Sequence, residues 1–242
     1  FFYAFIVYIL TMAPTTSFWD CGEFIATSIT LGVPHPPGTP LYILLGNLFS
    51  QIPTFNDLGA RVNLMSPIFS ALSVMFLYLI IVQLIEEWRG EVKSLSDVLI
   101  TYGSAIIGAF TFAVTDSHWF NAVEAEVYSI STFFTSIVVW LILKWSSNSG
   151  HPGNVRYILI IAYMIGLAIG IHLLNLLALP FIALIIYFNK YEFKLGTFIY
   201  TIAITLITFI IIYLGIIKGL PNMANSYGFN LPIFVVLAIF VA

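Results

Sequence analysis

Long apolar segments, several of them long enough to cross a lipid bilayer, dominate this sequence of 242 residues. A bilayer core of ~30 Å is spanned by an α-helix of about 20 apolar residues. Only 8% of the residues are charged and 60% are hydrophobic, whereas a soluble domain has roughly 25% charged and about 45–50% apolar residues. The chain therefore cannot cover a water-facing surface, and we expect an all-α polytopic membrane protein. Unbroken apolar runs, rather than alternating ones, argue against a membrane β-barrel.

The apolar runs predict six long helices. They cover residues 62–86, 97–115, 124–144, 157–171, 173–189 and 195–217. The fourth and fifth are short for two crossings, so they form either a tight hairpin or two tilted half-spans.

Three shorter apolar segments need a different interpretation. Residues 40–52 follow a proline-rich turn and predict an interfacial or re-entrant helix. Segments 1–13 and 231–242 are each too short to cross a bilayer alone. We therefore expect residues 1–242 to be one transmembrane core, a fragment truncated at both ends, with residues 14–60 as its first outer loop containing interfacial helices.

The basic residues predict how the helices are oriented. The loops on one side contain six of the eight Lys and Arg residues, namely Arg89, Lys93, Lys144, Arg156, Lys190 and Lys194. Positive charge marks the cytoplasmic side of a membrane protein. Arg61 and Lys218 fall on the other side, so residues 14–60, 116–123 and 218–230 are expected to face away from the cytoplasm.

Charge and cysteine content exclude several functions. The net charge is −3 and the few basic residues form no basic stripe, which argues against nucleic acid as a partner. A single cysteine, Cys21, excludes an internal disulfide framework and a cysteine-based metal cluster.

The first candidate site lies directly after the first apolar segment, where Asp20 and Glu23 are separated by two residues. On a helix these carboxylates share a face. Two such groups can bind a divalent cation, or one can have a raised pKa and act as a general base. The structural alternative, equally weighted, is a helix start with Ser17 as the cap and Asp20 in the first turn.

The second candidate is His35, which lies among four prolines within residues 34–40. Prolines hold a rigid, non-helical path and Gly38 permits a turn. A simple connector could also be rich in proline, but it has no need of a titratable side chain, so we favour a functional role for His35.

The third candidate is an acidic stretch at the outer end of the helix predicted to begin at residue 124. On a helix, Asn121, Glu124 and Tyr128 share one face while Trp119 and Glu126 share another. Acidic residues near a bilayer are functional candidates. An interfacial aromatic belt explains Trp119, but not two acids entering a span.

The order of these features resembles a known family. An apolar segment is followed by FWDCGEF at 18–24, HPPG at 35–38 and VEAEVY at 123–128. This order resembles the bacterial multi-pass membrane glycosyltransferase family related to the protein O-mannosyltransferases, in the GT-C superfamily. The resemblance covers roughly residues 5–180 and implies a GT-C-type transmembrane helix bundle with a helical first outer loop.

The implied activity is transfer of a sugar, with mannose as the default, from a polyprenyl-phosphate donor to Ser or Thr of an acceptor protein. The implied location is a bacterial inner membrane with the site facing the periplasm, and the partners are the lipid-linked sugar, the acceptor protein and membrane lipid. The resemblance makes Asp20 the catalytic base. It leaves the part of Glu23 in catalysis open, because protein O-mannosyltransferases have an adjacent Asp-Glu pair.

The remaining site residues are assigned to donor or acceptor binding. His35 matches the histidine of the family's HPP motif, and Arg61 is a candidate for the leaving phosphate. Glu124, Glu126 and Tyr128 are assigned by motif position alone. A divalent metal at Asp20 and Glu23 is compatible with the spacing but not required by it.

Two other classes of protein compete with an enzyme. An ion-coupled secondary transporter would use Glu124, Glu126 and His172 as an acidic relay, but the acids lie at one end of the spans rather than at the midplane. A non-catalytic scaffold subunit would explain neither the acids nor the rigid His35 loop. For His172 and Asn175, separated by two residues, a satisfied interhelical hydrogen bond is favoured over a site.

Overall fold

The computed structural model describes residues 1–226, and these residues fold into helices joined by short loops. The α-helices are α1 (Phe2–Thr11), α2 (Cys21–Thr30), α3 (Pro40–Gln51), α4 (Leu58–Asn63), α5 (Met65–Arg89), α6 (Leu95–Val98), α7 (Ser104–Ala113), α8 (Asp116–Ala122), α9 (Val127–Ser147), α10 (Val155–Ile169), α11 (Ala178–Lys190), α12 (Leu195–Ile210) and α13 (Leu220–Ser226). Wide π-helical turns join α6 to α7 and α12 to α13, and a 3₁₀ turn, Leu173–Leu177, leads into α11.

Five of the described helical segments are long and apolar enough to cross a membrane. They are Leu58–Arg89, Leu95–Ala113, Val127–Ser147, Leu173–Lys190 and Leu195–Met223. Two shorter apolar helices, α1 and α10, accompany them. The prediction of an all-α polytopic membrane protein is confirmed.

Helix α5 is the centre of the first compact unit, Phe1–Ala178. It packs against α1, α7 and α9, and α9 in turn packs against α10. The buried side of α5 is rich in small residues, including Ser66, Ser70, Ala71 and Ser73. Small side chains let helix backbones approach closely, which is how helices associate where lipid removes the hydrophobic driving force.

The two helices of the first loop pack onto this bundle. Phe24 of α2 and Tyr42 of α3 lie in one buried cluster with Met65, Ile130 and Ile171 from the bundle. Helices α2 and α3 also touch each other so closely that a methyl group at Gly46 would collide with Ser28. The loop is therefore a packed part of the unit, which fixes the acidic residues that it contains.

The second compact unit, Leu179–Ala242, is described up to Ser226 and contains α11, α12 and α13. The Tyr187 hydroxyl lies 2.9 Å from Thr197 Oγ1 and 3.2 Å from the carbonyl of Lys194, so it closes the turn between α11 and α12. The helical segment predicted to end at residue 217 continues to Ser226. The prediction of a loop at 218–230 is therefore wrong for residues 218–226. The half-span expected at 231–242 lies outside the described residues.

The helix predicted from residue 124 begins at Val127, so the helical faces assigned around Glu124 and Glu126 are wrong. Helix α8 ends at Ala122, and Glu126 has extended backbone angles of φ −131° and ψ 147°. A distant side chain and a distant backbone amide bind this segment. The Ala125 amide donates a 3.0 Å hydrogen bond to Asn63 Oδ1. Val123 accepts a 2.8 Å hydrogen bond from the Ala13 amide.

Candidate active site

The start of helix α2 places Asp20 and Glu23 on the same side of the first loop. Asp20, not Ser17, occupies the N-terminal capping position, and its side chain makes no capping hydrogen bond. The residue before it, Trp19, has a left-handed φ of 58°, which is unfavourable for a bulky side chain and turns the chain sharply into the helix. The exposed carboxylate of Asp20 is therefore available at a strained, fixed corner.

Glu23 is bound on both oxygens by a single residue, His35. Oε1 accepts a 2.7 Å hydrogen bond from the His35 backbone amide, and Oε2 lies 2.7 Å from His35 Nδ1. The hydrogen bonds from His35 lower the pKa of Glu23, and the hydrogen bond to Glu23 raises the pKa of His35. Both shifts favour a carboxylate paired with an imidazolium, held in water-accessible surroundings.

The proline-rich turn presents His35 as the sequence predicted. Gly38 has φ 91°, which an L side chain rarely adopts, and its amide donates a 3.0 Å hydrogen bond to the His35 carbonyl. The peptide bond between Pro36 and Pro37 is cis. The ring of Phe24 lies 5.7 Å from the ring of His35 and supports it from helix α2.

Asp20, Glu23 and His35 together could hold a divalent cation. One ligand atom from each lies within 4.8 Å of the others, and two carboxylates with an imidazole suit manganese or zinc. In the arrangement seen here, both oxygens of Glu23 are already hydrogen-bonded to His35. A cation bound through His35 Nδ1 would replace the proton that lies between this nitrogen and Glu23 Oε2.

Glu124 and Glu126 form the buried counterpart of this exposed cluster. They are 2% and 5% exposed, respectively. Burial, followed by the charges of Asp20 and Glu124, raises the pKa of Glu126 to about 7. Glu124 Oε1 has no hydrogen-bond partner among the described residues. Glu126 interacts electrostatically with Asp20 and His35, although it lies about a hundred residues away from both in the sequence.

Asn63 connects these two groups, and the sequence analysis missed it. Its Nδ2 donates to the carbonyls of Ala13 (2.8 Å) and Thr15 (2.9 Å), and its Oδ1 accepts from the Ala125 amide at 3.0 Å. Cys21 packs beside it, with Sγ 3.8 Å from Oδ1. The signal available in the sequence was an Asn at the start of an apolar segment predicted to span the membrane, since intramembrane polar residues are functional candidates.

Arg61 makes structural contacts in the described chain. Its Nε donates a 2.6 Å hydrogen bond to the Phe55 carbonyl, and one terminal nitrogen donates to the Ser50 carbonyl at 3.2 Å. The guanidinium thereby closes the turn after α3. The predicted contact of Arg61 with a phosphate stays a prediction.

Tyr128 lies in the first turn of α9, beyond the buried acids. Its ring is 5.3 Å from that of His172. The interhelical hydrogen bond expected at His172 and Asn175 is made by Asn175, whose Oδ1 accepts from Thr135 Oγ1 at 3.0 Å. His172 instead accepts a hydrogen bond from the Leu174 amide and caps the 3₁₀ turn.

Comparison with known proteins supplies the family context for this site. The family model described as "Protein O-mannosyl-transferase TMEM260 N-terminal domain" matches residues 20–195. The chain is 28% identical over 190 residues to a Dictyostelium discoideum protein named "Protein O-mannosyl-transferase tmem260", which covers 73% of this chain and 21% of that protein. It is 27% identical over 163 residues to the Mus musculus protein named "Protein O-mannosyl-transferase TMEM260", covering 67% of this chain and 21% of that protein.

The chain thus spans about a fifth of the length of the curated relatives that it matches. The family match begins at Asp20 and includes every candidate site residue named above. No solved structure matches the chain.

Proposed function

Because the chain belongs to the protein O-mannosyl-transferase TMEM260 N-terminal domain family, we propose that it forms the membrane core of a glycosyltransferase. The enzyme transfers mannose from a polyprenyl-phosphate donor to a Ser or Thr hydroxyl of an acceptor protein. The reaction takes place on the non-cytoplasmic side of the membrane, which is a periplasm if the host is bacterial. The basic loops on the opposite side support this orientation.

The observation that carries the proposal is the arrangement of Asp20 beside the Glu23–His35 pair. Transfer of a glycosyl group needs a base for the attacking hydroxyl and positive charge for the leaving phosphate. Asp20 supplies a carboxylate with no capping bond. The raised pKa of His35 favours an imidazolium within reach of the same space. Both requirements are met by residues of one short loop.

The mechanism follows from these groups. Asp20 accepts the proton of the acceptor hydroxyl as that oxygen attacks the anomeric carbon. The bond between the anomeric carbon and the phosphate oxygen breaks, and polyprenyl phosphate leaves with the bonding electrons. His35 stabilises the departing phosphate by charge and hydrogen bonding. Glu23 holds the imidazole ring in place and keeps it protonated.

The buried acids favour a site that handles protons. Glu126, with a pKa of about 7, exists in both protonation states near neutral pH and interacts with the charge of Asp20. When Asp20 becomes neutral on accepting a proton, the repulsion on Glu126 falls and its own proton leaves more readily. Glu126 therefore balances the charge of the site during transfer.

The position of the loop suits a lipid-linked donor. Helices α2 and α3 pack on the bundle through Phe24 and Tyr42, while Phe18 and Trp19 are at least 80% exposed beside Asp20. Aromatic side chains of this kind favour the membrane–water interface. A polyprenyl chain would remain in the bilayer while its phosphate reaches His35.

The test is transfer of labelled mannose from polyprenyl-phosphate-mannose by the full-length protein in membranes. The Asp20→Asn variant should lose about 10²–10⁴-fold in rate, the range of general base catalysis. Asp116→Asn removes the same charge from an exposed position in the first turn of α8 and should retain the wild-type rate.

Two outcomes would contradict the proposal. Wild-type turnover by Asp20→Asn would remove Asp20 from the mechanism. Absence of transfer by the wild type from a panel of lipid-linked sugars, together with proton-coupled uptake that depends on Glu126, would replace the enzyme by a transporter.

A further inference from the structure

An apolar trough lies beside the turn that carries His35. Its volume is about 470 Å³, within the ~300–1,000 Å³ range of small-molecule pockets. It is lined by residues 31–33 and 37–38 of the segment between helices α2 and α3, and by Pro40, Ile43 and Leu44 of α3. Ile43 and Leu44 follow Pro40 by three and four positions, so these three residues share one face of α3. The trough is therefore formed between this helix face and the connecting segment.

The connecting segment runs back towards the candidate active site. The ring of Phe24 lies 5.1 Å from that of Tyr42, near the start of both helices. Further along both helices, Asn47 Nδ2 donates a 2.9 Å hydrogen bond to the Ser28 carbonyl. Helices α2 and α3 therefore run in the same direction. The segment between them must return from the end of α2 to its first turn, where the amide of His35 is bound.

One end of the trough is thus close to the site and the other leads away from it. The Gly38 amide donates a 3.0 Å hydrogen bond to the His35 carbonyl. Pro37 follows His35 by two residues, so their Cα atoms lie within about 7 Å of each other. Leu44 lies about 6 Å further along α3 than Pro40. A ligand whose charged group is bound at His35 can therefore place an adjoining apolar chain in the trough.

Packing also connects the imidazole to the wall of the trough. The ring of His35 lies 5.7 Å from the ring of Phe24. Phe24 belongs to the same buried cluster as Ile43, and Ile43 lines the trough. The imidazole and the trough therefore belong to one packed unit.

The lining favours a hydrocarbon ligand. Its side chains are all aliphatic, and its other residues are glycine. Pro37 and Pro40 have no amide hydrogen, while the amides of Gly32, Gly38 and Ile43 donate to carbonyls of the chain itself. The carbonyl groups of a peptide would find no free donor at these five positions, and burying a polar group without a partner is costly. A hydrocarbon chain has no such groups.

The trough is open enough for a chain to enter. Leu31 is 56% exposed, Leu44 is 59% exposed and Val33 is 86% exposed. Apolar side chains that lie together in exposed positions mark interaction sites. Contact with a hydrocarbon would remove their apolar surface from water, which is favourable.

We propose that this trough binds the isoprenoid chain of the donor directly after its phosphate. The inference rests on the proposed function, because it assumes a polyprenyl-phosphate donor whose phosphate is bound at His35. Adjoining parts of one segment then bind the phosphate and the start of the chain, and the rest of the chain stays in the bilayer. Holding the chain next to the phosphate limits the orientations of that phosphate at His35.

The experiment measures binding of polyprenyl-phosphate-mannose and of sugar-free polyprenyl phosphate to the full-length protein in nanodiscs. Leu44→Gln places a polar amide in the trough, and Leu44→Met keeps an apolar side chain of similar size. Leu48→Gln is the matched control. Leu48 lies one turn further along α3, beyond the lining of the trough, and is 56% exposed against 59% for Leu44.

Leu44→Gln should weaken binding of both lipids by the same factor, about ten-fold, because the lost apolar contact is with the chain that they share. Leu48→Gln and Leu44→Met should bind both lipids as the wild type does. Phosphatidic acid, which carries a phosphate on acyl chains, should displace labelled polyprenyl phosphate less effectively than unlabelled polyprenyl phosphate does.

Three results would overturn the isoprenoid trough. They are unchanged binding in Leu44→Gln, an equal loss in Leu44→Gln and Leu48→Gln, or equal displacement by phosphatidic acid and polyprenyl phosphate. An equal loss in the two variants would indicate general contact of α3 with the bilayer. Transfer by the wild type is measured in the same preparation. If the wild type transfers no sugar, the proposed function fails; if it transfers sugar but Leu44→Gln binds both lipids normally, only the trough assignment fails.

Discussion

The candidate site contains acidic groups in two different environments. One is the exposed cluster of Asp20, Glu23 and His35, and the other is the buried pair of Glu124 and Glu126. In the exposed cluster Glu23 is paired with the side chain of His35 and accepts two hydrogen bonds from that residue, so its negative charge is stabilised. In the buried pair, Glu124 Oε1 lacks a partner among the described residues, and burial disfavours the charge of Glu126.

The comparison shows how one residue type can carry different tasks. A stabilised carboxylate such as Glu23 stays ionised and acts as a fixed partner for His35. A destabilised one such as Glu126 changes protonation near pH 7 and can exchange protons during a reaction. The charge of Asp20 contributes to the raised pKa of Glu126, so a change of charge at Asp20 changes the acidity of Glu126.

The largest effect is expected from replacing Asn63, which connects the exposed cluster with the segment that contains the buried pair. Asn63→Ala removes three hydrogen bonds to distant backbone groups and leaves them unpaired. An unpaired buried group costs roughly 1–3 kcal/mol. The bond from the Ala125 amide is buried and those to the two carbonyls are partly buried, so the protein should melt at a markedly lower temperature and lose transfer activity.

The control is Asn47→Ala, which removes an amide of the same loop whose contacts are partly exposed. It should lower the melting temperature by less. Equal melting temperatures for the Asn63 variant and the wild type would show that the buried pair is held in place by something else.

The second effect concerns Glu126 of the buried pair. The pKa of Glu126 is about 7 in the folded protein and 4.5 for an unperturbed glutamate. Between these two pH values the folded protein therefore binds more protons than the unfolded chain. Stability should therefore fall as pH rises through this window, by about 3 kcal/mol in total. The groups that act on Glu126 are Asp20, Glu124 and His35.

Glu126→Gln mimics the protonated form, so thermal melting should match the wild type at pH 5 and occur at a higher temperature at pH 8. Glu91→Gln changes an exposed acid and should melt like the wild type at both values. A Glu126 variant with the wild-type pH dependence would assign the titration to another group.

The third effect belongs to the exposed cluster. His35 has a pKa above its usual 6.5, chiefly through its hydrogen bond to Glu23, with smaller contributions from Glu23, Asp20 and Glu126 as charges. Activity that needs the imidazolium should persist below that raised pKa and fall as pH rises through it. Glu23→Gln should move this alkaline fall in kcat/KM towards pH 6.5, and His35→Gln should abolish it.

His151→Gln is the control for this pH profile, since His151 is an exposed histidine in the loop before α10. It should leave the profile unchanged. An alkaline fall that survives in His35→Gln would show that another group controls it.

The smallest effect is expected from removing metal ions. Both oxygens of Glu23 are hydrogen-bonded to His35, so we expect the Glu23–His35 pair to act without a metal ion, and transfer in membranes washed with a chelator should proceed at an unchanged rate. Loss of transfer that manganese or zinc restores would show that a cation replaces the proton between Glu23 and His35.

The spans could be predicted from the sequence because length and apolarity alone determine them. The break at residues 123–126 could not be predicted, because alanine and glutamate are good helix formers and the local sequence favours continuing the helix. The fold overrides this preference through hydrogen bonds from Ala13 to Val123 and from Ala125 to Asn63.

The sequence identifies Asp20, Glu23 and His35 as candidates, but it indicates neither Asn63 nor which of these side chains pair. Asp20 and Glu23 lie close together because helix geometry joins them, as expected. The partnership of Glu23 with His35 depends on the path of the intervening segment, in which Leu31 ends helix α2 at a positive φ of 51°. His35 follows Glu23 by twelve residues, and no local sequence pattern predicts where the backbone path between them places the imidazole.

The bond between Asn63 and Ala125 also determines when the site can be completed during synthesis. The chain is made from its amino end, so Asp20, Glu23 and His35 enter the membrane region well before Ala125, which follows Asn63 by 62 residues. Until that amide arrives, Asn63 has no partner from the later segment, and Glu126 has not been added. A nascent chain that stalls before residue 124 would therefore contain the exposed cluster without the buried pair that completes the site.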